Sequence, residues 1–298
     1  MYVYEKVRNM MNGWDTERDM GLTTPDSIER FDNISYGEYD VWNLLDVYRP
    51  KHAEGSLPVI VSVHGGGWVY GDKEVYQHYC MSLAERSFVV VNFNYRLSPD
   101  VIYPEHLQDV NAVMHWVKKH IAEYGGDTGR IFMIGDSAGA QMAAMYACAL
   151  TNVLCREQLS LNVPEITVRG VALNCGAYDM EDCLCRVIDN ASEEEQQELL
   201  QTVLGREHRE ETLPLGCPAA YVTKDFPPAY VMTANGDFLR NQQPLLLDAL
   251  KKNGVLHEYH EYGDAAQMLY HVFHCNIRTA AAKRCNDAEC EFFRKITK

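Results

Sequence analysis

The 298-residue chain has no apolar run of the roughly 18 residues that a membrane-spanning helix requires, so no membrane span is expected. Its first residues, Met-Tyr-Val-Tyr-Glu-Lys, lack a basic stretch followed by an apolar one; no secretion signal is expected there, and the chain reads as cytoplasmic. Positive charge is in short supply. Against 42 acidic residues stand 27 basic ones, a formal charge of −15, and a surface of that sign repels polyanions, which argues against a nucleic-acid partner. Low-complexity tracts and repeats are missing too, and 47% hydrophobic with 23% charged residues leaves the composition of a folded globular chain.

Cysteine is plentiful, but the spacing that a disulfide framework or a zinc site demands is not there. The ten cysteines are scattered through apolar and helical segments. The nearest pairs, Cys183 with Cys185 and Cys285 with Cys290, have neither the two-residue spacing nor the histidine companions of a zinc site. Buried free thiols, and no metal, are the expectation.

What the chain does have is alternation. Short β-branched runs separated by helical patterns point to βαβ units, hence an α/β fold with a largely parallel sheet covered on both faces. Residues 36–49, with apolar Tyr39, Val41, Leu44 and Val47, predict an opening antiparallel pair, and strands are predicted at 58–63, 87–93, 130–134, 168–175, 228–234 and 257–262. Helical periodicity covers 105–122, stopped by Gly125-Gly126, the small-residue stretch 138–150, and 276–296. Residues 178–226 form a long insertion. Within it Ser192-Glu-Glu-Glu195 has the form of a capping box, Gly205 that of a C-cap, and Leu199, Leu200, Val203 and Leu204 share one helix side. Too long for a structureless loop, it is expected to form a lid, with Met10, Met11, Trp14 and Met20 of the first 35 residues beside it.

The chemistry concentrates in Gly135-Asp-Ser137-Ala-Gly139, a G-x-S-x-G pattern between a strand and a small-residue helix. A strand that turns so sharply into a helix exposes the serine hydroxyl, and the flanking glycines keep side chains out of the crowded turn. His64-Gly65-Gly66-Gly67-Trp68 follows another strand, and its bare backbone can offer N–H groups to a developing oxyanion; Gly65 and Gly66 are the expected donors, with Ala138 the third. No Lys-[Ser/Thr] follows, which removes the phosphate-loop alternative. A serine nucleophile needs a histidine base, and the base a carboxylate to orient it. After strands beyond Ser137 the candidates are Asp237, with Asp264 as rival, and His271, with His274 as rival; placement at strand ends favours Asp237 and His271.

These residues resemble the α/β-hydrolase fold, and within it the hormone-sensitive-lipase-like esterases, the bacterial acetyl esterase and carboxylesterase group. The likeness rests on His64-Gly-Gly-Gly67, Asn94-Tyr-Arg-Leu-Ser-Pro99 followed by Tyr103-Pro104 and Asp109, Gly135-Asp-Ser-Ala-Gly139, Gly236-Asp237 with Leu239-Arg240, and His271-Val-Phe273, which is similar to the family's His-x-Phe. It implies a mostly parallel eight-stranded sheet with helices on both faces, a helical cap formed by 1–35 and 178–226, and one domain over 1–298. Tyr270 stands where such esterases have something small, and Ala140 where many have a third glycine; Trp68 and Tyr270 are the expected substrate-binding residues. Implied is a serine ester hydrolase for short-chain acyl esters, with a small-molecule substrate and no cofactor. Alternatives are an acetyl-sugar or feruloyl esterase, an amidase or peptidase of the same fold, and a non-catalytic binding module.

Overall fold

The computed structural model describes residues 1–206 and 209–297, so Glu207 and His208 of the 178–226 insertion, and Lys298, lie outside the described residues. The strands are β1 (Ile28–Ser35), β2 (Leu44–Pro50), β3 (Leu57–Val63), β4 (Val89–Phe93), β5 (Gly126–Asp136), β6 (Val168–Asn174), β7 (Ala229–Ala234) and β8 (His257–Tyr262). The helices are α1 (Val3–Asp19), α2 (Lys73–Ala84), α3 (His106–His120), α4 (Ala138–Thr151), α5 (Val153–Gln158), α6 (Met180–Arg186), α7 (Glu193–Leu204), α8 (Arg209–Leu215), α9 (Gln243–Lys252) and α10 (Ala280–Lys295).

The sheet has eight strands in the order β1-β2-β4-β3-β5-β6-β7-β8. β2 pairs antiparallel with β1 and β4, and every other pairing is parallel. The near-continuous apolar runs follow from burial on both faces. Val59, Val61, Ile131, Met133, Val171 and Leu173 point to a core shared with α3, α4 and α9, while Ile60, Phe132, Ile134 and Ala172 point to one shared with α2 and α10. From β3 the chain steps one way to β4 and then crosses to β5 on the other side, so the crevice outside the carboxyl ends of β3 and β5 is the switch point where such sheets bind ligands. The glycine run follows β3 and Ser137 follows β5.

The opening antiparallel pair exists, but earlier in the chain than expected. Its first member is β1, paired with β2, whereas Tyr39 and Val41 lie exposed between them. Glu29, Arg30, Asp32 and Asn33 mask the strand signal, because an edge strand can leave one face to solvent. Residues 28–35, expected within a cap over 1–35, therefore belong to the sheet. The sequence reading assigned neither α2 nor α9. The capping box at Ser192 and Glu195 forms as expected, Gly205 (φ 79°) ends α7, and Leu199, Leu200, Val203 and Leu204 are buried. The helix is tied on both sides: the Tyr103 amide donates to the Val203 carbonyl (2.8 Å), the Val3 amide donates to Glu198 Oε1 (2.8 Å), and Lys6 pairs with Glu195 (2.6 Å). On α1, Trp14 stays exposed, as does Met20 beyond its end.

Candidate active site

Ser137 occupies the turn between β5 and α4 with φ 53° and ψ −120°, a backbone conformation that is strained for a residue with a side chain. Surrounding packing enforces it. The Ser137 amide donates to the Asn174 carbonyl on β6 (2.9 Å), and the Ser137 carbonyl accepts from the amides of Ala177 (3.2 Å) and Gln141 (3.2 Å). A Cβ on Gly139 would press into the Val63 carbonyl oxygen, which is the steric reason for the second glycine of the motif. Behind the serine, α4 directs its positive N-terminal end toward the turn.

Asp237 sits just beyond β7, its side chain buried, and the His271 Nδ1–H donates to its Oδ1 at 2.7 Å. The Leu239 amide donates to the same oxygen (2.9 Å) and the Thr233 hydroxyl to Oδ2 (2.8 Å). Burial pushes this carboxyl up, but the His271 charge and these hydrogen bonds outweigh it and hold the group below the ordinary carboxylate range. Asp237 is thus an anion that fixes one imidazole tautomer and leaves Nε2 of His271 as the free nitrogen. Gln243 braces the same corner by donating from Nε2 to the Gly176 and Leu239 carbonyls, both at 3.1 Å.

The rivals do other things. His274 is fully buried three residues on, where burial lowers its imidazole to about 3, and Asp264 caps its own exposed turn by accepting from the Ala266 and Gln267 amides. The structure thus joins Asp237 to His271 and places Ser137 after β5, two strands away from Asp237 at the same carboxyl end of the sheet. Among the described residues the Ser137 hydroxyl makes no hydrogen bond to the protein.

Two expectations need correction. The Gly65 amide is not free: it donates to the buried Tyr76 hydroxyl at 3.1 Å. Of the amides of Gly65, Gly66, Gly67 and Ala138, only that of Gly65 donates to a protein acceptor among the described residues, which leaves Gly66, Gly67 and Ala138 available. Trp68 has no exposed surface, its indole packs within the apolar core, and it cannot touch a ligand in this arrangement. Tyr270, by contrast, is 64% exposed beside the base. Sequence reasoning also missed Thr233 and Phe238, the latter with its ring centroid 4.6 Å from that of His271. Phe238, Asp237, Arg186 and Arg240 line an open cavity of about 660 Å³ at this corner.

Donor atoms of Cys175, Asp237 and His271, and of Asp136, His274 and Cys275, gather within 4.8 Å of one another, the two such groupings among the described residues. In both, burial pushes the thiol well above its ordinary value.

The chain is similar to known ester hydrolases. The chain is 32% identical over 213 residues to the probable carboxylic ester hydrolase LipM of Mycobacterium tuberculosis, covering 70% of this chain and 48% of that protein. It is 37% identical over 138 residues to an isoprenylcysteine alpha-carbonyl methylesterase of Arabidopsis thaliana, covering 45% of this chain and 31% of that protein. The chain thus spans half or less of the length of these curated relatives. Among solved structures, Esterase B from Lactobacillus rhamnosis superposes with a TM-score of 0.88 at 23% identity, covering 99% of this chain and 95% of that one. An esterase of Pyrobaculum calidifontis gives 0.77 at 24% identity, covering 100% and 94%. The BD-FAE family model matches residues 45–248, which hold the glycine run, Ser137 and Asp237, and the chain belongs to that family of α/β-hydrolases.

Proposed function

We propose that the protein is a serine carboxylic ester hydrolase acting through an acyl-enzyme, and the observation that carries this reading is the buried Asp237 carboxylate gripping His271 at 2.7 Å at the same end of the sheet as the strained Ser137 turn. Ser137 attacks the ester carbonyl, His271 Nε2 takes the hydroxyl proton and returns it to the departing alcohol, and Asp237 stabilises the imidazolium. The amides of Gly66, Gly67 and Ala138 receive the oxyanion; losing one such donor costs about 10²- to 10³-fold in rate. Water then releases the acid by the same steps. The carboxylic ester hydrolases among the relatives support the reaction class.

Short acyl chains, acetyl to butyryl, are the proposed substrates; the structurally similar Esterase B has been crystallised inhibited with a C4-C4 tributyrin phosphonate. The stretch before β1 and the 178–226 insertion are proposed to form the cap, supported by the ties of α7 to Tyr103, Val3 and Lys6. Ten cysteines, none of them in a disulfide and eight of them buried, support work in a reducing compartment, the cytoplasm, and no described helix is long and apolar enough to cross a membrane.

The test is turnover of p-nitrophenyl acetate, butyrate and octanoate and of a p-nitroanilide by wild type, Ser137→Ala, His271→Ala and His274→Ala. Serine-dependent ester turnover that falls with chain length and is lost in His271→Ala supports the reading. Activity that survives Ser137→Ala, or loss in His274→Ala with retention in His271→Ala, refutes the assignment.

A further inference from the structure

We infer that Tyr76 is a positioning residue that ties the glycine loop to the serine turn, its hydroxyl accepting the Gly65 amide at 3.1 Å and donating to Asp136 Oδ2 at 2.8 Å. The inference rests on the serine-hydrolase reading and adds to it a third element, α2, that holds the oxyanion donors in register.

The bridge grips each side one residue before the atoms that matter. Gly65 directly precedes the donor Gly66, and Asp136 directly precedes Ser137, whose neighbour Ala138 supplies the third amide. The loop follows β3 and the turn follows β5, adjacent parallel strands, so the two halves of the anion site come from separate stretches of chain that need a cross-tie. Packing is tight enough to make the tie specific: a Cβ on Gly65 would lie 2.5 Å from Asp136 Oδ2 and 3.0 Å from the Tyr76 oxygen. Burial, then the Asp136 charge, pushes the phenol well above its ordinary value, so it stays protonated and acts as the donor. Tyr76 is itself anchored from behind, because Asp72 caps the start of α2, its side chain accepting from the Val75 amide. A second hydroxyl, that of Tyr95, holds the His64 carbonyl at 2.9 Å, so without Tyr76 the loop keeps its root and loses its lateral alignment. Oxyanion donors act at 2.7 to about 3.1 Å from the developing charge, and a drift of a few tenths of an ångström weakens the transition state more than the ground state.

The experiment compares wild type, Tyr76→Phe, Asp136→Asn and Asp136→Ala for kcat and KM on p-nitrophenyl acetate and for inhibition by a short-chain trifluoromethyl ketone, which forms a tetrahedral adduct on serine. Expected for Tyr76→Phe is a kcat loss on the order of 10- to 100-fold with KM changed less than about threefold, and a matching rise in Ki, smaller than loss of a donor outright. Asp136→Asn, whose amide oxygen still accepts from Tyr76, retains more activity than Asp136→Ala. A Tyr76→Phe variant with a lowered Tm but unchanged kcat and Ki overturns the inference, as the role would then be structural alone. Should that variant fail to fold, the Asp136 pair decides: equal kcat and equal Ki for Asn and Ala overturn it. Labelling of wild type with a fluorophosphonate separates the two levels. If Ser137 is not labelled, the hydrolase reading itself falls; if it is labelled and the variants behave like wild type, only the bridge falls.

Discussion

Replacing Glu289 by Gln should make the protein more stable at pH 8 than wild type while leaving the two alike near pH 5. Glu289 lies on α10, fully buried, accepting from the Tyr79 hydroxyl at Oε1 (3.1 Å) and from the Asn174 side-chain amide at Oε2 (3.0 Å). Among the described residues no basic side chain lies within ion-pair distance of it. Burial therefore raises its pKa from 4.5 to about 7, with the Asn174 and Tyr79 hydrogen bonds opposing. The sign follows from which state binds the proton. Between 4.5 and about 7 the unfolded chain is ionised and the folded one protonated, so unfolding releases a proton and stability falls as pH rises. At about 1.4 kcal/mol per pH unit, the interval from pH 5 to the folded pKa corresponds to about 3 kcal/mol, complete by pH 8. The amide cannot ionise and escapes the loss. Asp136, raised by burial to about 6, slopes the same way but is present in both proteins and cancels in the difference. Urea unfolding followed by tryptophan fluorescence at pH 5, 6, 7 and 8 gives the stability difference directly. A Gln-minus-Glu difference that stays constant within about 0.5 kcal/mol from pH 5 to pH 8 would falsify the argument.

Other outcomes follow from the same geometry. Asp237→Asn should reduce kcat by on the order of 10³- to 10⁴-fold with the fold retained, because an amide in its place no longer selects the productive tautomer of His271; a loss under tenfold in steady-state assays would contradict the assigned role. Gly139→Ala should fail to give soluble folded protein, since its methyl has no room against the Val63 carbonyl, and a normal melting curve for this variant would show the turn to be softer than described. Leu200→Ala, emptying a fully buried position on α7, should cost about 2–5 kcal/mol in chemical denaturation, and a cost below about 1 kcal/mol would mean that α7 is only loosely seated.

Much of the site was legible because its demands are local. A strand entering a small-residue helix through Gly135-Asp-Ser-Ala-Gly139 leaves few sterically possible arrangements, and Asp237 lies just past β7 while His271 lies on the loop that follows β8, at the end where a doubly wound sheet gathers its side chains. What could not be read depends on partners far along the chain. Gly65 and Gly67 are indistinguishable in sequence, and only the Tyr76 hydroxyl, eleven residues on, decides which amide is occupied. Trp68 looks like a pocket residue next to a glycine run, yet its burial depends on core packing with no sequence period to reveal it. For β1 the difficulty was chemical, since Arg30 pairs with Asp32 and Glu29 with Arg49, and a strand dressed in ion pairs does not display an apolar alternation.

The ties between α1 and α7 bring together stretches of sequence separated by nearly two hundred residues. The Val3 amide on Glu198 and the Lys6 ammonium on Glu195 are seated on a helix whose own apolar side is buried. Trimming the first twenty residues would thus act in two places: Glu195 and Glu198 would lose their counterparts, freeing the 178–226 segment on one flank, and the stretch after the glycine run would lose the Arg8 hydrogen bond to the Val69 carbonyl and the Asp15 acceptor of the Tyr70 hydroxyl. The amino terminus thereby couples the 178–226 segment to the loop that follows β3, so a change in one is felt by the other.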